Sequence, residues 1–148
     1  MKIYLDVCCL NRPFDDQLQE RIKLEAEAIF LIVQKCERGE WTLIGSEVIA
    51  SEIGQCADRE RRERAGMVAS AAGKVVDMGP SEIVRAAELE GLGFGAMDSL
   101  HLACAESADC DVFLTTDDRL LRRSQRYARA LHVGVDNPLN WLAKWVKK

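Results

Sequence analysis

Four acidic residues stand where a carboxylate is awkward: Asp6, Glu52, Asp98 and Asp117. Asp6 ends the apolar run Ile3-Tyr4-Leu5, and Asp117 stands where the strand-like run 112–115 turns into a helix. Either residue alone reads as well as a helix N-cap or a turn residue. If both strands belong to one parallel sheet, the two carboxylates emerge at the same edge. Glu52 falls inside the helical stripe Val48, Ile49, Ile53 and Cys56, and a carboxylate on a buried face is costly unless paired, hydrogen-bonded or metal-bound. Asp98 is the acid in the nearly all-apolar run 96–105 and shares a face with His101, Leu102 and Ala105. The plain alternatives are a first-turn Asp favoured by the helix dipole for Asp98, and a buried ion pair for Glu52. Glu47, in the first turn of the helix that carries Glu52, reads as structural.

Four acids at one sheet edge repel one another, and such a cluster persists if hard cations neutralise it. Mg²⁺ or Mn²⁺, with oxygen ligands and retained water, suits it. The matching chemistry is phosphodiester hydrolysis, in which metal ions lower the pKa of the attacking water and stabilise charge on the leaving oxygen. Other chemistries lack their residues. His101 lies one turn from Asp98 but reads as a hydrogen-bonded core histidine, and His132 has less claim. Two histidines without an H-x-x-x-H or C-x-x-C pattern give zinc hydrolysis little support. The Gly91-Leu92-Gly93-Phe94-Gly95 run lacks the Lys-Ser/Thr of a phosphate loop and reads as the tight turn that delivers Asp98. A haloacid-dehalogenase-type phosphatase would want a second Asp at position 8, which is Cys8. A phospho-receiver would want an acidic pair after the first strand and a late lysine.

Beyond Asp117 the chain carries Arg119, Arg122, Arg123, Arg126 and Arg129 on one helical side, with Leu120, Leu121, Ser124, Tyr127 and Ala128 on the other. Such a stripe could bind RNA phosphates. A solvated face or a dock for an acidic protein segment is an equally open reading. The 59–64 cluster alternates arginine with Glu60 and Glu63 and reads as exposed helix surface.

The elements that must position these residues follow from periodicity. Strands are predicted at 3–5, 41–44, 74–76, 112–115 and 131–133. Helices are predicted at about 18–36 (with Ile22, Ala26, Ile29, Phe30 and Val33 on the apolar face), 46–56, 58–72, 80–90, 96–108, 117–130 and 138–146. Gly39 closes the first of these helices. The alternation indicates an α/β sandwich with a mainly parallel sheet, whose ligands bind outside the carboxyl ends of the strands. The chain has 148 residues, the length of one domain spanning 1–148; 48% are hydrophobic and 30% charged. A net charge of −4 argues against bulk coating of nucleic acid, though not against a local basic patch. No apolar run approaches the ~20 residues of a membrane span, and the start lacks a signal-peptide plan. A cytoplasmic location is expected, with the six scattered cysteines as small buried hydrophobes. Trp141, Trp145 and Val146 fit either core or a dimer contact.

These same residues carry a family resemblance. The segment 3–10, the Ser46…Glu52 spacing, Met97-Asp98-Ser99-Leu100-His101-Leu102-Ala103 and Leu114-Thr115-Thr116-Asp117 resemble, in order, the four acidic motifs of PIN domains. The match runs from residue 3 to about 121. The resemblance implies a three-layer α/β/α fold with a parallel sheet, Mg²⁺- or Mn²⁺-dependent cleavage of RNA, frequent homodimers and, for many members, a toxin role neutralised by an antitoxin protein. It assigns the metal-binding and catalytic positions to Asp6, Glu52, Asp98 and Asp117, and a supporting hydrogen bond to Thr115. One departure stands out: where the family often has Thr and then Asn or Ser after the first Asp, this chain has Val7 and Cys8. Asn11 is a substitute candidate for the missing polar support. The departure also keeps a second reading open, a PIN-like module that binds RNA or a protein without cutting.

Overall fold

In the computed structural model, which describes residues 1–147, five short strands form one sheet: β1 (Lys2–Leu5), β2 (Thr42–Ser46), β3 (Lys74–Val76), β4 (Val112–Leu114) and β5 (Gly134–Asp136). All neighbours are parallel, in the order β3-β2-β1-β4-β5. The central strand β1 sets Tyr4 beside Ile44 of β2 and beside Phe113 of β4. Its residues Ile3, Tyr4 and Leu5 are buried, as expected of a parallel strand covered on both faces.

Among the described residues, eight helices supply the cover: α1 (Val7–Asn11), α2 (Glu20–Glu37), α3 (Glu47–Gly54), α4 (Arg59–Ala69), α5 (Pro80–Gly91), α6 (Ala96–Ser107), α7 (Asp118–Arg126) and α8 (Pro138–Val146). From β1 the order runs outward to β2 and β3 on one side and to β4 and β5 on the other. Right-handed crossovers therefore put α2 and α7 on opposite faces, which makes the α/β/α sandwich. The order reverses between β1 and β4, and a parallel sheet leaves a crevice at that point beyond its carboxyl ends. Ile29 and Ile32 of α2, Leu102 of α6, and Phe113 and Leu114 of β4 join β1 in the core.

Several boundaries differ from expectation, each for a local reason. The run 131–133 is not a strand; β5 begins at Gly134, where pairing with Val112 starts. The expected 117–130 helix stops at Arg126, and Ala128–Ala130 form a separate 3-10 turn. A five-residue helix, α1, follows Asp6 directly, too short to show a period. Phe30, expected on the apolar face of α2, is 64% exposed, because the buried face runs through Glu25, Ala28, Ile29 and Ile32. Trp141 and Trp145 of α8 meet Trp41 edge-on, so both pack within the chain, whereas Val146 is exposed. All six cysteines are free thiols.

Candidate active site

The reversal point collects the carboxylates. Asp6 is the first residue past β1 and N-caps α1, accepting from the Val7 amide at 2.8 Å. Thr115, the first residue past β4, donates its hydroxyl to Asp6 Oδ2 at 2.8 Å and accepts the Asp117 amide at 3.1 Å. One buried hydroxyl thus ties the ends of two adjacent strands. Asp117 caps α7, accepting from the amides of Arg119 and Leu120 through Oδ1. The capping role weighed for Asp117 is therefore real, but it uses one carboxylate oxygen and leaves Oδ2 without a protein partner among the described residues.

Glu52 is carried by α3, which Ser46 caps at the end of β2 by accepting from the Ile49 amide. The side chain is 30% exposed, so it rims the pocket more than the apolar stripe suggested. Its Oε1 lies 3.4 Å from Nε2 of fully buried His101, while His101 Nδ1 lies 2.6 Å from the Tyr4 hydroxyl, itself 2.7 Å from Ser46 Oγ. Among the described residues, Asp6, Glu52 and His101 form a group whose candidate ligand atoms lie within 4.8 Å of one another. Histidine's place in that group is better read as a donor than as a ligand. With Tyr4 donating to Nδ1, Nε2–H faces the Glu52 carboxylate. The opposite order would set a lone pair against that anion. Burial also pushes the Tyr4 phenol well above its ordinary pKa, which keeps its proton in place.

Asp98 lies in the first turn of α6, and with Asp117 it lines an adjoining cleft of about 280 Å³. Its carboxyl is pushed up to about 6, first by burial and then by the charges of Asp6 and Asp117, with Glu52 adding to them. Asp6, only 6% exposed, is also raised, chiefly by burial and in part by Glu52. The four acids therefore act on one another, although Asp6 and Glu52 make the tight pair and Asp98 and Asp117 flank it. Their oxygen donors, mutual repulsion and partial access to solvent fit a hard divalent cation.

Other expected residues take definite places. Cys8, in the position lacking the usual polar group, donates its thiol to Asp6 Oδ2 at 3.4 Å and lies 3.3 Å from Thr115 Oγ1. The Thr116 amide donates to its sulfur at 3.4 Å. Asn11 ends α1, and no side-chain hydrogen bond ties it to the four acids among the described residues. Glu47 is exposed and accepts the Met78 amide, a structural contact. Arg119, Arg122, Arg123 and Arg126 line a second cleft of about 220 Å³, while Arg129 falls in the 3-10 turn and does not.

Sequence reasoning missed Glu25, a carboxylate 1% exposed on α2. It pairs with Arg12 and Arg21 and accepts from Asn137. Arg21 in turn clasps Asp118 with two bonds of 2.8 Å and reaches the Thr116 carbonyl at 3.4 Å, bracing the loop that holds Asp117. The signal was available: Glu25 sits at i−3, i−4 and i−7 from Ala28, Ile29 and Ile32, the same pattern that singled out Glu52.

Two solved structures share this fold over nearly their whole length. The crystal structure of VapBC2 from Rickettsia felis, bound to a DNA fragment from their promoter, superposes with a TM-score of 0.61 at 12% identity, covering 93% of this chain and 98% of that one. VapBC-1 from nontypeable Haemophilus influenzae gives 0.55 at 14% identity, with 93% and 98% covered. No curated protein sequence matches the chain. The PIN-domain family model matches residues 3–125, from the strand that leads into Asp6 through most of the helix that Asp117 caps. On that match the chain belongs to the PIN-domain family, whose members are in general nucleases.

Proposed function

We propose that this protein is a divalent-metal-dependent endoribonuclease, acting in the cytoplasm as the toxin of a toxin–antitoxin pair and working as a homodimer. The observation that carries the catalytic reading is the gathering of Asp6, Glu52, Asp98 and Asp117 around the β1–β4 reversal point, each on a different element. The VapBC neighbours lend the antitoxin partner its support.

Asp6, Glu52, Asp98 and Asp117 are the residues that would hold Mg²⁺ or Mn²⁺. When bound, the metal supplies an activated water and charge stabilisation for phosphodiester hydrolysis. The protein's own residues prepare that site. Thr115 fixes Asp6 and the Asp117 backbone in register, so the two acids keep their separation. The Tyr4–His101 chain orients Glu52 by a donor it cannot lose without burying an unpaired nitrogen. With its carboxyl raised to about 6, Asp98 is mostly ionised at neutral pH and takes up a proton below pH 6, where that proton would compete with a cation for its oxygens. The thiol of Cys8 keeps a hydrogen-bond donor on Asp6 where the family often has a hydroxyl or amide, which favours a working site over a module that only binds.

Purified protein incubated with structured and single-stranded RNAs, with Mn²⁺ and then with EDTA, tests the reading. Cleavage that needs the metal and disappears in Asp6→Asn supports it. RNA binding without cleavage under the same conditions overturns it.

A further inference from the structure

We infer that α7 is a track for a single-stranded polynucleotide backbone, with an inner phosphate subsite at Arg119 and Arg123 and an outer one at Arg122 and Arg126. The inference deepens the nuclease reading and rests on it for the identity of the strand. Four observations carry it.

First, the four guanidinium groups stand around one cleft of about 220 Å³, and Arg119 and Arg123 also line the cleft that contains Asp98 and Asp117. The two clefts therefore adjoin at the inner pair, and the track leads towards the acids. Second, the charge is uncompensated. Arg12, Arg21, Arg59, Arg61, Arg64 and Arg85 all pair with carboxylates. Among the described residues, none of the four on α7 does. Asp118, one turn before Arg122, is already clasped by Arg21 on both oxygens. Four like charges within three turns of one helix disfavour the folded chain unless an anion meets them, and the protein as a whole is acidic.

Third, two of the groups are held in place by partners that leave their charge free. Arg123 Nη1 reaches the Leu92 carbonyl at 3.5 Å across the glycine turn. Gly93 there has φ +98°, and a Cβ on it would meet Arg123 Nη1 at 2.5 Å. The turn expected merely to deliver Asp98 thus also admits a guanidinium to the pocket rim. The Arg126 guanidinium lies over the Tyr127 ring at 5.4 Å. Fourth, among the described residues the track carries no exposed aromatic platform. Phe94 is buried, and Tyr127 is half-buried against it. The arginines therefore read phosphates, not bases, so the track is indifferent to sequence and gives affinity and direction. From Arg119 to Arg126 the helix advances about 10 Å, room for about two phosphates beyond the one cut.

The test uses the whole protein and a fluorescein-labelled twelve-nucleotide single-stranded RNA in EDTA, with affinity followed by anisotropy across salt concentrations. Each phosphate neutralised on a single strand contributes about 0.7 to the slope of log affinity against log salt. Arg122→Gln with Arg126→Gln, which empties the outer subsite, is expected to lower the slope by about 0.7 and the affinity at 0.1 M salt by about fivefold. Arg38→Gln, at the end of α2 where the chain enters the opposite edge of the sheet, is expected to leave the slope unchanged. An unchanged slope in the double variant overturns the track, as does an equal fall in the Arg38→Gln control. Loss of slope with an acidic polyglutamate peptide but not with RNA also overturns it, in favour of a protein dock. Failure of the nuclease reading would show separately, as absence of Mn²⁺-dependent cleavage in the unaltered protein.

Discussion

Removing one acid from the pocket should make the metal-free protein more stable. The Asp98 carboxyl, ordinarily near 3.8, is raised to about 6 by burial and by the charges of Asp6 and Asp117. The folded chain therefore holds that proton more tightly than the unfolded chain does, and the ionised carboxylate opposes folding. The penalty is complete above the folded value, is relieved as pH falls from about 6 towards 3.8, and is absent below both values. A shift of about two units at 1.36 kcal/mol each corresponds to about 3 kcal/mol at pH 8, and the same two values leave about 1 kcal/mol at pH 4.5.

Asp98→Asn removes the charge and keeps the shape. In EDTA at pH 8 the variant is expected to unfold at higher urea than the parent, by about 3 kcal/mol, with the difference narrowing to about 1 kcal/mol at pH 4.5. In a chain of this size that is a rise of about 6–12 °C in Tm at pH 8. Added Mn²⁺ should close the gap by stabilising only the parent, whose site it occupies. An Asp98→Asn protein equal to or weaker than the parent at pH 8 in EDTA would refute the electrostatic account of the cluster. So would a parent whose stability does not improve as pH falls from 8 to 5.

Glu25→Gln should cost about 3 kcal/mol in urea unfolding, the low end for breaking a buried ion pair, since Arg21 is half exposed and can turn to water; a loss under 1 kcal/mol would show that Glu25 is not the hub it looks. Cys8→Ala, which deletes a donor to Asp6, should weaken Mn²⁺ binding in calorimetry by about tenfold, whereas Cys8→Ser and Asn11→Ala should leave it near the parent value. Gly93→Ala must displace Arg123 and hold alanine at positive φ, so a loss of about 1–2 kcal/mol is expected in thermal unfolding. Asp6→Asn should abolish Mn²⁺-dependent RNA cleavage while the fold, read by circular dichroism, persists.

What could be read from the chain alone was whatever local pattern controls. Strand β1 and helices α2, α3, α5 and α6 announce themselves by apolar period and by start signals such as the Ser46 cap and the first-turn Pro80, and the acids at their ends follow from the parallel-sheet rule. The residues that escaped depend on partners distant in sequence. Glu25 acquires meaning only when Arg12, Arg21 and Asn137 surround it, and Asn137 is 112 positions away. His101 was legible as buried, but its tie to Tyr4 spans 97 positions and depends on β1 lying beneath α6. β5 was misplaced by three residues because an edge strand of Gly-Val-Asp has no period to detect, and its register is set by pairing with β4. Cys8 shows the same limit from the other side. By type it marked a missing polar group, and only the backbone turn after Asp6 brings its thiol onto that carboxylate. A departure from a family motif should therefore be weighed by the atom it delivers to the site, not by the residue class it replaces.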